Sequence, residues 1–119
     1  MTKALFVFLG GGIGCVLRYC AGLVITSTMF PHATFAVNAV GSLAIGLLGG
    51  WASRFGWSEE TRLLLTTGLC GGFTTFSTFS KESLAIAEAG RWSAFAAYAF
   101  GSVAVGIAAV ALGYWITRH

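Results

Sequence analysis

The spacing of the charges constrains this chain more than any other feature. Seven Lys and Arg and four acidic residues are spread over 119 positions. They leave positions 19–53, 63–80 and 92–117 uncharged, runs of 35, 18 and 26 residues. A helix crossing hydrocarbon needs roughly 20 mainly apolar residues, so each run can hold one. Charged residues make up 9% of the chain, against about 25% in soluble domains. The polar surface of a soluble fold is missing, and a bilayer is the solvent that such a sequence suits.

The expected architecture is all-α and integral to the membrane, a single domain over 1–119 with four transmembrane helices. These helices fall at about 2–24, 32–52, 59–89 and 91–117. The turn Phe30-Pro31-His32 holds the only proline and precedes the second helix. Ser58 is placed to cap the third, with Glu59 and Glu60 in its first turn, where acidic groups suit the helix dipole. Gly90 is a stop signal. Trp51, Trp57, Trp92 and Trp115 all fall near expected helix ends, the depth that an amphipathic indole prefers. Lys3 followed by an apolar run resembles the start of a leader, but the segment reads better as the first helix.

Several chemistries are excluded or disfavoured. The four acidic residues are all Glu, at 59, 60, 82 and 88, which removes the aspartate pairs of many hydrolases and the usual ligands of a calcium loop. Cys15, Cys20 and Cys70 form no Cys-x-x-Cys pair, so zinc is disfavoured; all three read as small buried thiols. His32 and His119 lie near helix ends, with no nucleophile–base pair in view. A net charge of +3, scattered along the chain, does not suit nucleic acid.

Small and polar residues recur every four positions. Gly10, Gly14, Arg18 and Gly22 share a stripe on the first helix; Asn38, Ser42, Gly46 and Gly50 on the second; Tyr98, Ser102 and Gly106 on the fourth. Residues four apart lie near one face, and small ones let membrane helices approach closely. Asn38 sits about two turns inside its helix. A polar group at that depth faces a partner helix or a wet path.

The third helix carries the most specific run, TTGLCGGFTTFSTFSKE over residues 66–82. Gly68, Gly71 and Gly72 precede Thr74, Thr75, Ser77, Thr78 and Ser80, the least helix-favouring part of the third helix. The run reads as a broken helix, since irregular backbone at membrane depth is tolerated where it is buried in protein or lines a cavity. Phe73, Phe76 and Phe79 form a drifting stripe beside the hydroxyls. Phenyl edges carry positive charge, so rings and hydroxyls together can replace part of an anion's hydration shell.

GGFTTFSTFS, the asparagine in FAVNAVGS and the opening GGGIGCVLRY together resemble the Fluc (CrcB) family of bacterial fluoride channels, and the likeness runs the length of the chain. The resemblance implies an antiparallel, dual-topology homodimer in the bacterial inner membrane, giving passive fluoride export. It implies a pore lined by Asn38, Phe76, Phe79, Ser77, Thr78, Ser80, Tyr98 and Ser102, with Arg18 and Glu82 in a vestibule. It also implies a structural sodium ion held by backbone carbonyls of Gly71 and Thr74. Its partners would be fluoride, lipid and an inverted second copy. The main rival is a small proton-coupled multidrug exporter, which wants a carboxylate in its first helix, where this chain has none.

With four helices, Lys3, Arg54, Arg62 and Arg118 fall on one side of the membrane, and Arg18, Lys81 and Arg91 on the other. Orientation follows the excess of Lys and Arg, and four against three is almost none. Reporter domains fused to the C-terminus should therefore signal from both sides of the membrane; signal from one side alone would refute dual insertion.

Overall fold

A computed structural model of the protein describes residues 2–25 and 30–118, and every regular element among them is helical. The order is α1 (Thr2–Val24), α2 (His32–Phe55), α3 (Glu59–Arg62), a π-helical segment (Leu63–Cys70), α4 (Gly71–Phe73), α5 (Phe76–Glu88) and α6 (Trp92–Thr117). The helices α1, α2 and α6 are each long and apolar enough to cross a membrane. Residues 59–73 form one continuous but irregular rod, separated from α5 by two extended residues.

Local chemistry sets the ends. Gly56 closes α2 in the left-handed conformation, φ +61°, and its N–H bonds Ala52 O; a side chain would be strained there. Ser58 then caps α3, accepting from Thr61 N at 3.2 Å. Gly90, at φ +76°, separates α5 from α6. Lys3 pairs with Glu59 at 2.9 Å, and Arg62 Nη2 donates to Ala52 O at 3.3 Å. The start of α1 and the turn between α2 and α3 thus share one end of the molecule.

Two pairs of parallel rods make up the body, each built on glycine. Along α1, a Cβ on Gly10 or Gly14 would run into the backbone of residues 64–73; for Gly14 the nearest atoms are Leu69 O and, at 2.7 Å, Phe73 N. Along α2, Gly46 faces the backbone of Val110 and Tyr114, while Gly113 of α6 faces Leu43 and Leu47. Without water to drive apolar association, membrane helices gain mainly from such close contact. Cys70 is buried in this packing, whereas Cys15 and Cys20 are exposed. The reading of all three cysteines as buried thiols is therefore corrected: Cys15 and Cys20 lie off the Gly10–Gly14 contact face.

Because the atoms facing Gly14 are backbone, they cannot swing aside. Gly14→Ala should destabilise the protein by about 1–3 kcal/mol, the usual cost of overpacking, and lower its thermal midpoint in detergent. Gly22→Ala, with nothing within 4 Å of the new Cβ, should leave the midpoint unchanged.

Candidate functional site

Polar side chains of α1 and α2 converge on the break between residues 73 and 76. Thr74 (φ −88°, ψ 158°) and Thr75 (φ −149°, ψ 123°) are both extended. Two glycines of low helix propensity precede them, and β-branched threonines accept the extended conformation readily. The last helical bond before the break runs from Thr74 N to Cys70 O, 3.0 Å, and Thr74 Oγ1 donates to the same carbonyl at 2.9 Å. Thr75 restarts the helix: its Oγ1 accepts from Thr78 N at 3.1 Å as the cap of α5.

Side chains from two other helices take up freed backbone groups. Asn38 of α2 accepts from Thr75 N through Oδ1 at 2.8 Å and donates to Thr75 O through Nδ2 at 3.0 Å. The paired bonds fix the amide's orientation, since a flipped carboxamide would set donor against donor. Arg18 of α1 donates Nε to Gly72 O at 3.2 Å. The Gly71 carbonyl loses its helical partner, because Thr75 N–H points to Asn38. The Thr74 carbonyl loses its own, because Thr78 N–H points to Thr75 Oγ1.

Two clefts adjoin the break, and Thr75 lines both. The first, about 280 Å³, is walled by Asn38, Thr74, Phe76, Phe79, Ser102 and Ser42, among others. The Phe76 and Phe79 rings lie 5.8 Å apart at 47°. Phe76 is 79% exposed, so the described residues leave most of that ring uncovered. Ser102 Oγ is shielded from solvent and has no hydrogen-bond partner among the described residues. The second cleft, about 360 Å³, is lined by Arg18, Thr34, Thr78 and Glu82, among others. Beside it, fully buried Tyr98 donates to Glu82 Oε1 at 3.2 Å and packs against Phe79 at a tilt and Phe30 edge to face, with centroids 5.1 and 5.2 Å away.

The structure thus brings Asn38, Phe76, Phe79 and Ser102 to one cleft, and Arg18, Thr78 and Glu82 to the other. Tyr98 is not a wall of either; it braces Phe79 and Glu82 from behind. Ser77 and Ser80 lie on the exposed face of α5, where Ser80 Oγ donates back to Phe76 O at 2.9 Å. Ser77 Oγ lies 3.4 Å from Thr75 Oγ1. His119 lies outside the described residues. Reading the sequence alone missed Thr75 and Ser42 as members of the site. The signal for Thr75 was a capping threonine three residues after a glycine pair; for Ser42 it was its place one turn beyond Asn38. No group of three His, Cys, Asp or Glu side chains is gathered among the described residues; the oxygens gathered at the break are backbone carbonyls, hydroxyls and the Asn38 carboxamide.

Fold and site define a helical, multi-pass membrane protein whose polar groups are gathered at one interrupted helix. The chain belongs to the CrcB family: residues 5–114 match the family described as CrcB-like protein, Camphor Resistance (CrcB). It is 48% identical to a protein of Phocaeicola vulgatus over 99% of this chain and all of the relative. It is 47% identical to one of Novosphingobium aromaticivorans, covering 99% of this chain and 98% of the relative. A Methylobacterium protein is 48% identical over the full chain and 98% of its own length. Each relative bears the name fluoride-specific ion channel FluC. The resemblance drawn from GGFTTFSTFS is borne out at the level of the family.

Thr75→Val keeps the shape of the side chain but deletes the cap of α5. It should cost about 0.5–2 kcal/mol, read as a lower thermal midpoint and faster hydrogen exchange at the Thr78 amide. Thr75→Ser, which keeps the hydroxyl, should behave like the native chain.

Proposed function

We propose that this protein is a fluoride-selective channel that lets fluoride leave the cell down its electrochemical gradient, and that it works as an antiparallel pair of identical chains in the bacterial inner membrane. The reading rests above all on the interrupted helix, where two phenylalanine rings, an asparagine and an unpartnered serine hydroxyl share one cleft, in a chain whose full-length relatives are named for fluoride. On this reading the whole of 1–119 is one channel domain. Residues 59–88 serve as a fourth span in two halves, and both termini fall on one side.

Fluoride is small and holds its water tightly. A selective path must offer compact donors in a narrow space and still release the ion. Asn38 retains one Nδ2 hydrogen after bonding Thr75 O, Ser102 has an unspent hydroxyl, and Phe76 and Phe79 offer ring edges. Thr78 continues the path toward Arg18 and Glu82, with Tyr98 holding that carboxylate. Ser77 and Ser80, on the outer face of α5, would meet the second copy. Almost balanced Lys and Arg counts support dual insertion, and the uncovered Phe76 ring supports a partner subunit completing the wall. Hydrogen fluoride crosses the bilayer as a neutral acid and ionises inside, so the membrane potential drives the anion out.

The break also fits a structural sodium ion. The carbonyls of Gly71 and Thr74 are among those that lose their helical donors at the break, and hard cations take oxygen ligands. Two such carbonyls from each copy would make four. Bound there, the ion supplies fixed positive charge that favours a nearby anion.

Liposomes loaded with fluoride, with a potassium ionophore present, should release it rapidly and release little chloride. Phe76→Ile and Phe79→Ile should each slow fluoride release by about tenfold, the effect of losing roughly 1.4 kcal/mol along the path, while the dimer persists on size-exclusion chromatography. No fluoride release from assembled native dimers would overturn the proposal.

A further inference from the structure

The two bonds between Asn38 and Thr75 carry a consequence for the other side of the break. In an unbroken helix Thr75 N–H would close on Gly71 O. Here that donor is taken by Asn38 Oδ1 at 2.8 Å, and the Thr75 carbonyl is held by Nδ2 at 3.0 Å. The carboxamide therefore competes directly with the helical bond that would occupy the Gly71 carbonyl. One turn along α2, Gly41 presents bare backbone to Thr74: a Cβ there would strike Thr74 Cγ2. The same face of α2 thus supplies both the clamp for Thr75 and the room for Thr74.

We infer that Asn38 is a positioning residue for the cation site: by holding the Thr75 amide it keeps the Gly71 carbonyl free to bind sodium, in addition to any part it takes in passing fluoride. The inference rests on the sodium reading above but goes beyond it, because it makes a side chain on α2 decide whether carbonyls of the third rod are available. Without the Oδ1 acceptor, Thr75 N–H has no partner in a setting where an unsatisfied amide is expensive. The nearest remedy is to rotate back onto Gly71 O, which removes one of the two carbonyls.

Purified dimers transferred from sodium to N-methylglucamine provide the test, read as the thermal midpoint against added sodium. The native protein should be stabilised by sodium. Asn38→Leu, similar in shape but with no acceptor, should need at least tenfold more sodium for the same shift. Asn38→Asp keeps an oxygen facing Thr75 N–H and should respond at the native sodium concentration, even where its fluoride release falls. Should Asn38→Leu not assemble, Asn38→Asp decides: a native sodium response upholds the clamp, and a lost one overturns it. Asn38→Leu dimers with a native sodium response would overturn the inference while leaving the sodium reading intact. A native protein indifferent to sodium would overturn both, and its fluoride release would show whether the channel reading survives them.

Discussion

Everything distinctive in this fold follows from one constraint: hydrocarbon offers no water to a broken helix. A backbone that leaves helical geometry at membrane depth must find new partners for its N–H and C=O groups. Three side chains meet that demand here. Asn38 takes both groups of Thr75, Arg18 takes the Gly72 carbonyl, and Thr75 Oγ1 caps the restarted helix. Each comes from a different helix, so the break holds α1, α2 and the third rod in one arrangement. The close glycine contacts that set α1 against residues 64–73 bring Arg18 within reach.

An interrupted helix also exposes two ends of opposite polarity. The carbonyls that close the first half carry partial negative charge, and the amides that open α5 carry partial positive charge. One short segment can therefore face a cation on one side and an anion on the other. The side chains sort accordingly. Rings and hydroxyls lie by the start of α5, whereas the Gly71 and Thr74 carbonyls belong to the end of the first half.

Much of this was legible in the residues. Charge-free runs mark helices fit for a bilayer, and glycines followed by hydroxyl residues mark the weak point of the third rod. Asn38, a carboxamide two turns inside α2, announces a contact. The remainder depends on three-dimensional partners. Ser80 and Ser102 look equivalent in a list of hydroxyls, yet one spends its donor on its own helix and the other does not. Thr75 looks like its neighbours until the freed amide is traced to Asn38. The glycine stripe on the last helix is read at Tyr98, Ser102 and Gly106, whereas the closest backbone contact lies further on, at Gly113. Cys15 and Cys20 lie in an apolar run but are exposed among the described residues.

The π-helical stretch at Leu63–Cys70 bears on how this protein can change over evolutionary time. A π turn accommodates more residues per turn than an α turn, its bonds spanning five residues instead of four, as in the bond from Gly71 N to Thr66 O. Removing a single residue from that stretch would let it tighten to α geometry, and the tightening would absorb much of the rotation that a deletion imposes on an ordinary α-helix, about 100° per residue. Gly72 would then stay nearer to Arg18, and Thr75 to Asn38, than after the same deletion in the α-helical part of the rod. The π turns between Arg62 and Gly71 thus act as slack ahead of the break, the place where this rod can lose a residue at least cost to the site.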